Sequence, residues 1–188
     1  MAQLTLNKPS GGSVTLVPQD GVTHDTVTIG GGVIIHRTLV TTDSSQSVAA
    51  NTWYDVPNLS VTFTPQSTTS KFRIDVRWLG ETNNTWNMVF AIARNDTRIN
   101  LPDAYGSNPL GLTVPALSYF ATSNDTASTP ETSCFFTYDE PATSEQLTYK
   151  VQFTKEVAET ITHGRAYSIN TGTGYERASL EMLVTEYV

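Results

Sequence analysis

Three histidines, one cysteine, three tryptophans and scattered carboxylates are the residues of this 188-residue chain whose types could do chemistry. Histidine suits metal binding and proton transfer, but His24, His36 and His163 lie far apart, and none has a His, Cys or carboxylate partner at ligand spacing. They read as surface or loop histidines, unless the symmetry of an oligomer brings copies of one together. Cys134, in Cys134-Phe135-Phe136, would need a neighbouring His and a cationic pocket to act as a thiolate. With neither nearby it reads as a small buried hydrophobe, and a single cysteine excludes an internal disulfide. The carboxylates Asp139-Glu140 and Asp20/Asp25 occupy turn positions. A glycosidase needs two carboxyl groups roughly 5–10 Å apart across a cleft, and nothing in the sequence selects such a pair. Gly30-Gly31-Gly32 is followed by no helix and is a break in the chain, not a phosphate cradle. The expectation is no enzyme, no cofactor and no metal.

Tryptophan can stack on sugar rings. Trp78 and Trp86 sit in apolar rows and read as core, which leaves Trp53 as the candidate surface aromatic. Four Asn-x-Ser/Thr matches, at Asn58, Asn83, Asn95 and Asn124, are expected by chance in a chain this rich in Asn and Thr.

The elements that must position these residues are strands. Lys71 to Leu79 alternates without a break, with Phe72, Ile74, Val76 and Trp78 on one face and Lys71, Arg73, Asp75 and Arg77 on the other. That is the period of a half-buried strand. Leu147 to Phe153 alternates as cleanly, and Ser179 to Val188 does so to the last residue. Trp86 to Arg94 is more uniformly apolar and reads as a central strand, turned by Asn95-Asp96 into Thr97-Arg98-Ile99. Trp53–Val56 and Leu59–Phe63 read as strands on either side of Pro57-Asn58, and 165–169 as another. Residues 102–133, punctuated by four prolines, read as long loops with a short strand near 116–122. About eight strands follow residue 52. The predicted fold class is all-β, an antiparallel jelly-roll sandwich. Thirty threonines and only 15% charged residues suit it.

Residues 1–42 are an opening of another kind. Leu4, Leu6, Val14, Leu16, Val27 and Ile29 fall in short strands separated by Pro9-Ser10-Gly11-Gly12, Pro18-Gln19-Asp20-Gly21 and the glycine run. Such small apolar pieces seldom bury a core unaided, so the segment is expected to be completed by other chains. Residues 43–51 read as a polar linker and 52–188 as the main domain. A net charge of −7, with dispersed basic residues, argues against duplex nucleic acid and anionic membranes as partners. No signal-like or membrane-spanning stretch is present, which predicts a chain made in a cytoplasm.

Several stretches resemble the C-terminal jelly-roll domain of virion proteins of marine and cyanobacterial phages. They are Leu59-Ser60-Val61-Thr62-Phe63-Thr64-Pro65-Gln66-Ser67 running on to Phe72, Ala91-Ile92-Ala93-Arg94-Asn95-Asp96-Thr97-Arg98-Ile99, Asp139-Glu140-Pro141-Ala142-Thr143-Ser144, Leu147-Thr148-Tyr149-Lys150-Val151-Gln152 and Arg177-Ala178-Ser179-Leu180-Glu181-Met182. Their order and spacing hold across most of 53–188. The opening is similar to the attachment segment of phage fibre proteins, through Gly12-Ser13-Val14-Thr15-Leu16 and Val27-Thr28-Ile29. Gly30-Gly31 stands where those segments carry Leu-Pro. The resemblance implies a homotrimeric, tumour-necrosis-factor-like jelly roll on the virion, assembled in the host cytoplasm: a short fibre, knob or capsid decoration protein, held to other virion proteins through Leu4, Leu6, Val14, Leu16, Val27 and Ile29. The alternatives are a carbohydrate-binding receptor module of a tail fibre, with host-surface glycan as its partner, and a hydrolase built on a sandwich.

Overall fold

The computed structural model describes residues 21–29, 32–82, 88–104, 106–115, 130–167 and 176–188 in full, and the backbone of 5–7 and 13–19. The described residues form strands and no helix: β1 (Thr5–Asn7), β2 (Ser13–Gln19), β3 (Val22–Ile29), β4 (Val33–Val40), β5 (Ser44–Val48), β6 (Tyr54–Phe63), β7 (Lys71–Thr82), β8 (Met88–Arg94), β9 (Thr97–Arg98), β10 (Glu131–Asp139), β11 (Leu147–Lys155), β12 (Glu159–His163) and β13 (Leu180–Tyr187). All pairings are antiparallel. One nine-stranded sheet runs β1-β2-β3-β4-β13-β7-β12-β5, with β10 also on β7, and a four-stranded sheet runs β6-β11-β8-β9. The protein is an all-β, antiparallel jelly-roll sandwich.

β7 is the hub. It pairs with β13 along Lys71–Arg77, with β10 along Phe72–Gly80 and with β12 at Gly80–Thr82. Its apolar row, Phe72, Ile74, Val76 and Trp78, is fully buried against Leu59, Val61, Phe90, Ile92, Tyr149, Val151 and Phe153 of the facing sheet. Each such side chain contributes about 1.5–3 kcal/mol on leaving water. Asp139 of β10 ties the layers together: it accepts from Arg94 Nη1 at 2.7 and 2.8 Å and from the Tyr149 hydroxyl at 2.6 Å. Burial, with the Asp139 charge, pushes the Tyr149 hydroxyl pKa well up.

The Asn95-Asp96 hairpin is present, with both residues at positive φ, 43° and 70°, as a two-residue turn between right-twisted strands requires. The two strands expected around Pro57-Asn58 are one, β6. Asn58 takes φ 60°, and the register with β11 jumps from Lys150↔Ser60 to Gln152↔Asp55. Proline is tolerated there because β6 ends its sheet.

Three expectations need correcting. The polar stretch 43–51 contains β5, which pairs residue for residue with β12. Its polarity reflects an edge position, not a linker. Residues 33–40, expected to wait for other chains, form β4, which pairs with β13 along its whole length and buries Ile34, His36, Thr38 and Val40 within one chain. Residues 165–167 form no strand and make only an isolated bridge, Arg165↔Arg177. The strand expected near 116–122 and Trp86 lie outside the described residues.

Candidate interaction face

The inner face of the large sheet fills the core, and its outer face is open. Alternation along β10 sends Cys134, Phe136 and Tyr138 outward, opposite Arg77, Asp75 and Arg73 of β7. β13 adds Glu181, Leu183, Thr185 and Tyr187, β4 adds Leu39, Arg37, Ile35 and Val33, and β3 adds Thr23, Asp25, Val27 and Ile29. Phe136, Tyr138 and Tyr187 are exposed at 53%, 55% and 44%. A shallow apolar hollow of about 330 Å³ lies between Cys134, Phe136 and Leu183.

The charges of this face pair with one another, although Asp25 Oδ1 is buried without a hydrogen-bond partner among the described residues. Arg37 bonds Glu181 at 2.5 Å and lies 3.5 Å from Asp25, and Arg77 reaches Glu181 at 3.7 Å. Arg73 grips Asp75 through Nε and Nη2 at 2.8–3.1 Å while its guanidinium lies 4.7 Å over the Phe136 ring. Asp75 holds the Arg73 pKa up, through hydrogen bonds first and charge second. The result is an aromatic face carrying three guanidinia and three carboxylates, whose aromatic residues and arginines are of the kinds enriched at interface centres.

Of the expected attachment residues, Leu4 lies outside the described residues, and Leu6, Val14 and Leu16 hold backbone positions in β1 and β2, with Val14 paired to Val27 and Leu16 to Asp25. Val27 is half-buried and Ile29 is 46% exposed, both on the outer face. β1, β2 and β3 lie beyond β4 in the large sheet, where no strand of the small sheet is hydrogen-bonded to them, and the inward side chains His24, Thr26 and Thr28 of β3 are exposed.

The β3–β4 register brings His24 and His36 to one cavity, because Thr26 pairs with His36 and His24 with Thr38. Sequence spacing alone does not show this, because the approach depends on the register between β3 and β4. His24 is a surface residue as expected, but His36 and His163 are not. His36 stacks on Phe63 at 4.0 Å, with Nδ1 3.2 Å from the Thr26 hydroxyl and Nε2 3.4 Å from Glu186. Burial lowers its pKa, opposed by the hydrogen bond and charge of Glu186. His163 is fully buried under β5, and burial lowers its pKa to about 3. Lys155, equally buried and 2.8 Å from Glu159, is lowered to about 8 for the same reason. No group of three or more His, Cys, Asp or Glu residues able to hold a metal stands among the described residues.

Cys134 is exposed, not core, because the β10 register puts Ser133 and Phe135 inward instead. Trp53 is half-buried, and the Arg98 guanidinium covers its ring at 4.5 Å, so that face is not open to a sugar. No protein-family model matches this chain, and no curated protein is significantly similar to it.

Proposed function

We propose that the chain is a non-enzymatic structural protein of a phage particle, a homotrimer with a tumour-necrosis-factor-like jelly roll, serving as a short fibre, knob or capsid decoration. The observation that carries this reading is the outer face of the large sheet. Exposed Phe136, Tyr138 and Tyr187 beside Leu183 need a cover, and Tyr and Arg are the residues that concentrate in interface centres. The face is charge-balanced in a chain of net charge −7, so copies can meet on it without repulsion that their remaining surface would impose. Three copies packing head to tail about an axis would close the assembly. The layer order β4-β13-β7-β10 over β6-β11-β8-β9 is a jelly-roll sandwich, the fold this reading requires. The β1–β3 extension, with Ile29 outward, is the part suited to other virion proteins.

Light scattering tests this. The expected result is a trimer at micromolar concentration that Phe136→Glu converts to a folded monomer, with the thermal midpoint lowered only by the lost association, since that side chain is exposed in the single chain. A wild-type monomer, or a trimer indifferent to Phe136→Glu, would overturn the reading. A second reading, a receptor-binding module that takes host glycan, is favoured by the cavity beside β3.

A further inference from the structure

The cavity between β3 and the edge of β6 has about 360 Å³, within the range of small-ligand sites, and is lined by His24, Thr26, His36, Ser60 and Thr62 among others. We propose that it binds one neutral, hexose-sized sugar. The inference deepens the receptor-binding reading, and it rests on that reading for the origin of the sugar on a host surface.

The polar groups of the site are fixed in orientation. The Thr38 hydroxyl donates to the Ser60 carbonyl at 2.6 Å, so its oxygen accepts from His24 Nδ1–H at 2.7 Å. This leaves His24 Nε2 without a hydrogen-bond partner among the described residues, on an exposed side chain. Opposite it, His36 Nε2 points at the Glu186 carboxylate, so Nε2 carries the hydrogen and Nδ1 accepts from the Thr26 hydroxyl at 3.2 Å. Glu186 is itself held by the Gln66 N–H at 2.7 Å and the Ser70 hydroxyl at 2.6 Å. His24 Nε2, an acceptor, and the Thr26 hydroxyl oxygen thus stand open on one wall, the hydroxyl held from behind by the buried His36. On the other is the edge of β6. The Ser60 carbonyl points away from β11, and antiparallel alternation aims the Thr62 peptide group the same way.

The chemistry of the lining selects the ligand class. Asp25 and Arg37 border the cavity, but strand alternation sends their charged ends to the outer face, where they meet each other and Glu181. Among the described residues no guanidinium or ammonium is left to hold a phosphate or carboxylate, and little apolar surface is left for a lipid. An extended peptide would add to β6 as a strand. That edge is already interrupted: Thr38 occupies the Ser60 carbonyl, Pro57 has no N–H, and Asn58 bulges at φ 60°. A compact ligand carrying many hydroxyls needs only a few donors and acceptors at close quarters, and these are what the walls supply.

Isothermal titration of the full chain with the methyl glycosides of glucose, galactose and mannose tests the proposal. At least one should bind saturably in the millimolar range. His24→Ala and Thr26→Val, both at exposed positions, should each weaken it about fivefold to tenfold, the loss of one hydrogen bond. No saturable binding by any of the three, or binding indifferent to both variants, would overturn it, as would competition by an extended peptide at lower concentration than any sugar. Light scattering on the same samples separates the readings. A trimer that binds no sugar removes this proposal alone, and a monomer that binds sugar removes only the trimer.

Discussion

Two buried histidines, one toward each end of the large sheet, live in different company. His163 of β12 accepts the Trp78 indole N–H on Nδ1 at 2.9 Å and therefore donates from Nε2 to the Gln46 amide oxygen at 3.2 Å. Phe153 closes the site, with its ring centre 5.5 Å away. Both ring nitrogens are satisfied by neutral groups, and a second proton would face the indole N–H with no acceptor. His36 of β4 has an anion on one nitrogen and a hydroxyl on the other, and that hydroxyl can turn from donor to acceptor. One site tolerates only the neutral ring, and the other can host either form at moderate cost. Similar burial thus produces a rigid joint in one place and an adjustable one in the other.

Acid is the largest expected way to break that symmetry. The His163 pKa falls from 6.5 to about 3 on folding. The unfolded chain binds the proton more readily, so stability is whole above pH 6.5 and drains away as pH falls toward 3, by about 5 kcal/mol in all. That is a large part of the 5–15 kcal/mol typical of a domain. Urea unfolding from pH 7 to 3.5 should show this limb, and His163→Gln should flatten it. His36→Gln should flatten it much less, because Glu186 already offsets part of the burial cost. Equal flattening by both variants would mean that Glu186 makes no difference.

The rigidity of the His163 joint has a packing counterpart at Gly80 of β7. A Cβ there would stand 2.1 Å from the Thr162 carbonyl oxygen and 2.3 Å from the Trp78 ring, and neither can retreat, since one is backbone and the other is pinned to His163. Gly80→Ala should cost about 3 kcal/mol or more in urea unfolding at neutral pH, the upper end of overpacking. A loss under 1 kcal/mol would show slack where the geometry leaves none.

The fold was legible where one face of a strand is greasy and the other wet. The rows 72/74/76/78 and 147/149/151/153 name the core by alternation alone, and the run to Tyr187 places the last strand in a sheet. The buried polar joints were not legible, for identifiable reasons. β4 carries Ile35 and Leu39 on its outer face and Ile34 and Val40 on its inner face, so His36 has no polar-side signature. Glu186 continues the inward row Leu180, Met182, Val184, and only a buried partner explains a carboxylate there. β5 looked like a linker because its register partner, not its own side chains, holds it in place. The outer face depended on the β10 register: in Ser133-Cys134-Phe135-Phe136, either alternate set could have been the core.

The smallest effect gives the sharpest test of the comparison. Glu186→Gln keeps an amide oxygen for the Gln66 N–H and the Ser70 hydroxyl and turns an NH2 toward His36 Nε2. His36 can answer by moving its hydrogen to Nδ1, where the Thr26 hydroxyl becomes the acceptor, so the network closes again at a cost of about 1 kcal/mol. The titration should respond more than the stability does. The hydrogen bond and the charge of Glu186 both raise the His36 pKa against burial, so removing the charge should move its midpoint further below the usual histidine value. NMR of the imidazole protons resolves His36 from His163, which has no carboxylate to lose and should not move. A His36 midpoint unchanged in Glu186→Gln would mean that the two joints differ only in geometry and not in electrostatics.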